Sequence, residues 1–235
     1  MPTRRSTTPA RQRPGGRAVQ PHPPRIREAL QAATLNEHDL EPDASFEALV
    51  FADIDLTGRR AVAVEFEECQ FTAARFAGSH LDRLRLTDCR IETSDWSNLR
   101  AEAAGIDRVA FATSRLTGMA CTNGRLRNTA FRDCKLDLSS WRFTHFDAVT
   151  FDECNLTGAD FTNADLRGAS FTRCRLTAAQ FSNADMHGAR FRACELDGIG
   201  GIASWSGAVV HRDDLIELAD ALAGALSIVI EGGGE

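Results

Sequence analysis

Residues 131–196 read FRDCKLDLSSWRFTHFDAVTFDECNLTGADFTNADLRGASFTRCRLTAAQFSNADMHGARFRACEL, and a large apolar residue returns in this stretch at every fifth position. These positions are Phe131, Leu136, Trp141, Phe146, Phe151, Leu156, Phe161, Leu166, Phe171, Leu176, Phe181, Met186, Phe191 and Leu196. Two residues before each one stands a small or β-branched side chain, as at Val149 and Ala159. A period of five matches neither the 3.6-residue turn of a helix nor the two-residue alternation of a strand. It predicts a solenoid, in which stacked repeats build one continuous core.

The same register extends back to Phe46, and none of its 31 positions carries a charge in a chain that is 26% charged. Such a complete exclusion of charge from equally spaced positions indicates that all of them face a buried axis. The positions before residue 131 are Phe46, Phe51, Leu56, Ala61, Phe66, Phe71, Phe76, Leu81, Leu86, Ile91, Trp96, Ala101, Ile106, Phe111, Leu116, Cys121 and Leu126.

Several pentapeptides carry a recognisable motif. Ala159-Asp160-Phe161, residues 163–167 (NADLR), residues 168–171 (GASF) and residues 183–187 (NADMH) resemble the A(D/N)LxX motif of pentapeptide repeat proteins. The resemblance covers about 155 of the 235 residues, from 44 to 198. It implies an all-β solenoid, a right-handed quadrilateral β-helix of about eight coils, in which four pentapeptides form the four sides of one coil.

A four-sided coil predicts a second, longer period of four pentapeptides, and the cysteines follow it. Cys134, Cys154, Cys174 and Cys194 succeed one another at this spacing, as do Cys69 and Cys89. We expect them to stack inside the coil as ladders with rungs about 4.8 Å apart. Disulfides and metal sites are alternative interpretations, but cysteine is commonly a small buried hydrophobe and a reducing cytoplasm disfavours disulfides. Packing is therefore the favoured role.

The spacing of the cysteines also indicates an irregularity. The interval from Cys89 to Cys134 equals two coils and one additional pentapeptide. Either five residues loop out between Ile91 and Phe111, or the chain shifts by one side of the coil. The loop hypothesis places a short projection around residues 99–105, with Arg100, Ala101, Glu102 and Gly105 as its candidate residues.

The segments outside the repeat differ in composition. Residues 1–24 are rich in Arg, Pro, Gly, Ser and Thr, which predicts a disordered basic arm. Residues 25–35 contain a weak helical stripe, and residues 25–43 are predicted to form a short segment that caps the coil. Residues 199–211 form a Gly- and Ser-containing linker, and residues 212–231 are predicted to form a C-terminal helix and a short strand.

The predicted C-terminal helix has one apolar stripe. Asp214 and Glu217 form a D-x-x-E capping pattern ahead of it. A short helix with one apolar face must bury that face, either on the open end of the coil or on a second subunit. The candidate dimer interface consists of Leu215, Leu218, Leu222 and Leu226. A C-terminal helix that dimerises is also what the resemblance to the gyrase-associated branch implies.

The sequence offers little for catalysis. The six histidines are not spaced with Cys, Asp or Glu as metal ligands would be, and the glycine-rich run at 198–201 lacks the strand-to-helix context of a phosphate loop. We therefore predict a protein that is not an enzyme, with no catalytic residue, no metal and no cofactor. Because no apolar run reaches the roughly 18 residues of a membrane span and no apolar signal region follows the N-terminus, the expected location is cytoplasmic.

Charge is distributed unevenly along the chain. Residues 1–27 hold seven arginines and no acid, whereas residues 28–80 hold three bases and eleven acids. An imbalance of this size concerns partners and steering rather than the fold. The candidate partner-binding acidic residues are Asp53, Asp55, Glu65, Glu67 and Glu68, all at outward positions of the repeat.

The resemblance extends to the quinolone-resistance-type branch of the family, whose members bind DNA gyrase or topoisomerase IV. It implies a dimeric rod that mimics DNA in charge and shape. The alternative is a generic protein-interaction scaffold, for which Leu138 and Phe143 at outward positions would supply an exposed apolar spot. Direct nucleic-acid binding is a weaker interpretation and depends on residues 1–27.

Overall fold

The computed structural model describes residues 20–229, which form a parallel β-solenoid of about nine coils with one short helix near the C-terminal end. The predicted quadrilateral β-helix is confirmed, with about one coil more than expected. The strands are Gln31–Ala32 (β1), Ser45–Glu47 (β2), Leu49–Ala52 (β3), Arg60–Val62 (β4), Glu65–Glu67 (β5), Gln70–Thr72 (β6), His80–Asp82 (β7), Arg85–Glu92 (β8), Gly105–Ala112 (β9), Arg125–Arg132 (β10), His145–Asp152 (β11), Ser170–Thr172 (β12), Arg190–Arg192 (β13) and Val209–Val210 (β14).

Strands β2 to β13 pair in parallel with the next coil at an offset of four pentapeptides, whereas the terminal pairs, β1 with β3 and β13 with β14, have shorter offsets. Leu126 of β10 lies opposite Ile106 of β9 and Phe146 of β11. Strands β8 to β11 are long enough to cover two adjacent pentapeptides each, whereas β4 and β7 pair with each other in a separate two-stranded sheet. The offset places residues that are one coil apart directly above one another.

The interior is filled by the fivefold register, because all 31 of its positions from Phe46 to Leu196 are buried. Phe131, Phe151 and Phe171 illustrate the packing, with ring centroids 4.8 and 4.9 Å apart and ring planes within 4° of parallel. This spacing equals the distance between strands in a sheet, so each ring rests directly on the next.

Corners form at the third position of the pentapeptide. There φ is positive, with values of 54° at Asp53, 52° at Glu68 and 59° at Asn163. Asn and Asp tolerate this left-handed region better than other residues with a Cβ, and glycine tolerates it without cost, as at Gly158. The chemistry of this position therefore supports a repeated turn.

The loop predicted around residues 99–105 is wrong. The coil continues without interruption, since Gly105 begins β9 and pairs with Arg85 on one side and Arg125 on the other. Ala101 is fully buried at an inward position, and Arg100 and Glu102 flank it on the exterior surface of the coil. The small side chain of Ala101 is tolerated inside the coil because the inward residues directly above and below it, Leu81 and Cys121, are bulkier.

Residues that are 20 positions apart stack above one another and form a column inside the coil. The cysteines lie in one column up to Cys89 and in a different column from Cys134 onward, although the register of the chain does not change. Cys69 and Cys89 belong to a column that continues as Val109 and Thr129, both buried. The second ladder, Cys134, Cys154, Cys174 and Cys194, continues a column of the buried residues Ile54, Ala74, Ser94 and Ser114. Both columns hold small or β-branched side chains, so cysteine serves in either one. The predicted shift by one side is therefore also wrong, while the predicted stacking of the cysteines is confirmed.

The N-terminal segment is extended where a helical stripe was predicted. Residues 20–30 follow the outside of the coil, and β1 adds to the edge of β3. The predicted disorder of residues 1–24 does not hold for residues 20–24, and residues 1–19 lie outside the described residues. Leu40 is buried beside the first coil, and the ring of His38 lies 6.1 Å from that of Phe46.

At the other end, Trp205 covers the last coil, with its ring 4.5 Å from Phe191 and 5.3 Å from Phe181. A 3₁₀ turn (Ile202–Ser204) leads into it, and a second one (Arg212–Leu215) follows β14.

The continuous C-terminal helix predicted from residue 212 is broken in two. The α-helix (α1) contains only Ala219–Ala225, and its N-terminal cap, Leu218, has no side-chain capping bond. Glu217 does not act as a cap, because its carboxylate accepts a hydrogen bond from the backbone N–H of Leu196. The described part of the predicted strand, Ile228–Val229, is not a strand.

Candidate functional site

Outward carboxylates gather on one side of the first coils, which we call the acidic face: Glu47, Glu65, Glu67, Glu68 and Asp88. Strands β2 and β5 position it by simple alternation, because Phe46 and Phe66 point inward and the glutamates beside them point outward. The parallel register places Glu47 directly opposite Glu67 on the next coil. Like charges thus stack about 4.8 Å apart, a repulsive arrangement that a cationic group would relieve.

A segment of the chain itself crosses this face. Residues 20–32, which we call the strap, run along the rod across successive coils. The backbone N–H of His22 donates to Asn128 Oδ1 at 3.3 Å, and that of Arg25 donates to Asp88 Oδ1 at 2.8 Å. The strap therefore extends from the coil that contains Asn128 to the first coil, where β1 pairs with β3.

Arg27 makes the central contact between the strap and the acidic face. Its Nε donates to Glu68 Oε2 at 2.7 Å, and its Nη2 donates to Glu47 Oε1 at 2.5 Å. The backbone N–H of Arg27 also donates to Glu68, at 3.3 Å. The hydrogen bond from the guanidinium lowers the pKa of Glu68 below its ordinary value, so this carboxylate is charged at neutral pH.

Asp88 binds the strap at a second point, through the backbone N–H of Arg25. Burial would raise the pKa of this carboxyl, but hydrogen bonds from Arg108 and from the backbone of Arg25 outweigh burial, and the pKa is lowered. Arg108 Nη2 lies 2.6 Å from Asp88 and its Nη1 lies 2.8 Å from Asp107, which also pairs with Arg127. This chain of ion pairs holds the Asp88 carboxylate in place for the strap.

The five acidic residues predicted from the sequence do not share one side of the rod. Glu65, Glu67 and Glu68 lie on the acidic face, but Asp53 and Asp55 fall on other sides of the coil. Asp55 pairs with Arg75 at 3.0 Å. Hydrogen bonds from Thr57 and Arg75 lower its pKa to about 2.

Sequence reasoning missed Glu47, Asp88 and Arg27. The first two could have been found by applying the four-pentapeptide period to charged positions as well as to cysteines, since they stand one coil away from Glu67 and Glu68. Arg27 carried no such signal, because it lies outside the repeat.

The C-terminal end presents a second surface. Leu215, Leu222 and Leu226 are exposed, by 48%, 42% and 72%, as the predicted interface requires. Leu218 is 3% exposed and packs on the protein's own core, so it is not available to a second subunit. Three residues that were not among the predicted interface residues enlarge the exposed apolar surface: Ile216, Ile228 and Val229.

Reactive groups are few among the side chains of residues 20–229. No group of three or more His, Cys, Asp or Glu side chains there is placed to hold a metal ion. Burial raises the pKa of the Cys121 thiol to about 12, which keeps it protonated. His145 lies 3.3 Å from Asp165 on the exposed surface. None of the helices described in this range is long and apolar enough to cross a membrane.

Several solved structures are similar to this chain at low sequence identity. A trypsin-treated variant of QnrB1, a plasmid-mediated fluoroquinolone resistance protein, is 18% identical over 80% of this chain and 100% of its own, with a TM-score of 0.41. HetL, involved in heterocyst differentiation regulation in the cyanobacterium Nostoc sp. strain PCC 7120, is 14% identical over 72% of this chain and 85% of its own, with a TM-score of 0.38. A pentapeptide repeat protein of the Arabidopsis thaliana thylakoid lumen is 14% identical over 60% and 67%, with a TM-score of 0.24.

No curated protein matches the sequence. The family model described as a pentapeptide repeat region matches it three times, over residues 64–141, 104–181 and 130–200. The overlapping matches span residues 64–200, which is more than half of the chain. They cover the coils whose register, corners and stacked aromatic rings are described above. This protein belongs to the pentapeptide repeat family.

Proposed function

We propose that this chain is a non-catalytic, protein-binding rod that acts as a DNA-mimicking dimer on a type II topoisomerase, DNA gyrase or topoisomerase IV, and modulates it or protects it from inhibitors. The charge density of the first coils carries the proposal. Residues 28–80 have a net charge of −8, from three bases and eleven acids, and six of these acids lie in the coils from residue 44 onward. A B-DNA duplex likewise presents a dense row of negative charge, one per roughly 1.7 Å.

The interior of the rod supports a binding role. Its axis is filled by stacked side chains such as Phe151 and Phe171, so the surfaces available for recognition are on the outside. The excess of acid does not continue into the following coils, since residues 81–130 carry eight bases and six acids. The acidic face is therefore the proposed contact with the topoisomerase.

The purified protein is expected to inhibit supercoiling by DNA gyrase at micromolar concentration. Replacing two carboxylates of the acidic face together, Glu65→Gln and Glu67→Gln, should raise the half-inhibitory concentration about fivefold, because two exposed charge contacts contribute roughly 0.5 kcal/mol each. The measurement is a supercoiling assay with a titration of each variant.

A matched control removes two exposed carboxylates from the middle coils, Asp133→Asn and Asp147→Asn. This pair should leave inhibition unchanged. If the unaltered protein shows no inhibition and does not shift drug-stabilised DNA cleavage, the topoisomerase proposal is abandoned.

One observation favours the alternative of a generic interaction scaffold. Leu138 is 68% exposed and Phe143 is 49% exposed. The two residues lie on the same coil, and both come at least 50 residues after Asp88, the last residue of the acidic face. Exposed apolar side chains at neighbouring corners suit contact with another protein. Capture of a protein that is not a topoisomerase, lost on Leu138→Ser and Phe143→Ser, would favour this function instead.

The proposed dimer joins two rods through the apolar C-terminal surface. Leu222→Glu places a charge in that surface and is expected to convert the dimer, of twice 25.6 kDa, to the monomer. Light scattering after size-exclusion chromatography measures the mass.

Leu35→Glu is the matched control, because Leu35 has nearly the same exposure, 41% against 42%, at the opposite end of the chain. This variant should stay dimeric. A dimer that survives Leu222→Glu would contradict the interface.

A further inference from the structure

The strap is held to the rod by polar contacts rather than by burial. None of its residues is buried, and the first buried side chain of the described chain is Leu40. Over residues 20–28 the contacts are backbone N–H groups of His22, Arg25 and Arg27 on side-chain acceptors, together with the Arg27 guanidinium. At the end of the strap, in β1, the backbone N–H of Gln31 donates to the carbonyl oxygen of Ala48. Removing residues 20–28 from the surface would leave every inward side chain in place. Exposed polar contacts of this kind are individually weak, so the segment can leave without unfolding the coil.

The same contacts occupy the acidic face. Glu47, Glu68 and Asp88 are three of its five carboxylates, and each accepts a hydrogen bond from the strap. Arg27 bridges carboxylates on two successive coils, as an arginine of a cationic partner would. Glu65 and Glu67 make no contact with the strap among the described hydrogen bonds and stay exposed.

We propose that the strap is a built-in competitor for the acidic face. In the free protein it hydrogen-bonds to Glu47, Glu68 and Asp88, and a partner with a cationic surface must displace it to pair with the same carboxylates. The inference rests on the proposed function for the identity of the partner, but the competition itself is a property of this chain. Because the two occupants use the same carboxylates, they exclude each other, and the docked fraction of the strap sets the apparent affinity for the partner.

The variant that tests this competition is Arg27→Glu in the full-length protein. A glutamate at this position would face Glu47 and Glu68 with the same charge, so the strap is expected to detach. Hydrogen exchange should become faster at the backbone amides of His22, Arg25 and Arg27 and stay unchanged in β9 to β11, whose amides bond within the coil. Arg60→Glu is the matched control, because Arg60 is an exposed residue of β4 outside the strap.

The binding probe is a labelled peptide with the sequence of residues 20–32, QPHPPRIREALQA. If the strap is docked in about nine of ten molecules, its release should tighten the apparent affinity about tenfold. We expect the peptide to bind Arg27→Glu about tenfold more tightly than it binds the unaltered protein or Arg60→Glu, as measured by fluorescence anisotropy. Faster exchange at His22, Arg25 and Arg27 without any gain in peptide affinity would overturn the proposal.

Inhibition of gyrase is the second measurement that tests the competition. Release of the strap should lower the half-inhibitory concentration of Arg27→Glu in the supercoiling assay relative to Arg60→Glu. A protein that does not inhibit gyrase in any form, but whose Arg27→Glu variant gains peptide affinity, would refute the proposed function and leave the competition standing. Inhibition that is unchanged or weaker in Arg27→Glu, with the strap released, would refute the competition and leave the proposed function standing.

Discussion

Phe151→Ala is expected to lower the free energy of unfolding by about 3–5 kcal/mol, because the ring is fully buried and the rigid coil cannot collapse around the cavity. Phe151 lies 4.8 Å from Phe131 and 4.9 Å from Phe171, with all three planes nearly parallel. Removing it deprives both neighbours of a stacking surface at once. Chemical denaturation followed by circular dichroism measures the loss.

The chain offers a control of identical chemistry at a nearby corner. Phe143 is 49% exposed there, so Phe143→Ala should change the free energy of unfolding by less than about 0.5 kcal/mol. Equal losses from the two substitutions would contradict the assignment of inward and outward positions.

Trp205→Ala is expected to lower the free energy of unfolding by about 3 kcal/mol, since this side chain closes the open end of the core over Phe191 and Phe181. In a solenoid each repeat contacts its neighbours alone, so the damage should begin at the nearest coil. Hydrogen exchange should accelerate in β13 and remain slow in β9. The measurement is native-state exchange resolved by segment.

Two substitutions test the reason for that loss. Trp205→Phe keeps a ring on Phe191 and removes an indole N–H that has no hydrogen-bond partner among residues 20–229, so it should cost about 1 kcal/mol at most. Ile216→Ala, at a position that is 82% exposed, should have little effect. A uniform acceleration of exchange along the whole rod would show that the end cap does not act locally.

Much of the fold could be predicted because its main driving force repeats along the chain. An uncharged residue stands at every fifth position from Phe46 to Leu196, and this pattern directly indicates which side chains are buried on folding. The prediction of a loop failed at Ala101, where a small residue was taken as a break in the core. A column of stacked residues accommodates one small member when its neighbours above and below, such as Leu81, are larger.

The candidate site was harder to predict, since its members are distant in sequence. Asp53 and Glu65 are close in sequence yet lie on different sides of the rod, whereas Glu47 and Glu67 are separated by a full coil and lie side by side. The contact of His22 with Asn128 joins residues separated by 106 positions. Local composition carries no information on such pairs.

By itself the sequence determined the coil: its period, its filled axis and the small inward residues between the large ones, because apolar burial at a fixed spacing dominates the free energy of every repeat. Tertiary structure alone decided which carboxylates become neighbours, that the strap lies across them, and that the C-terminal leucines divide between core and surface. These outcomes depend on exposed polar contacts and on packing at the two ends of the rod. Such contacts are individually weak and do not repeat along the chain, so no periodic sequence pattern predicts them.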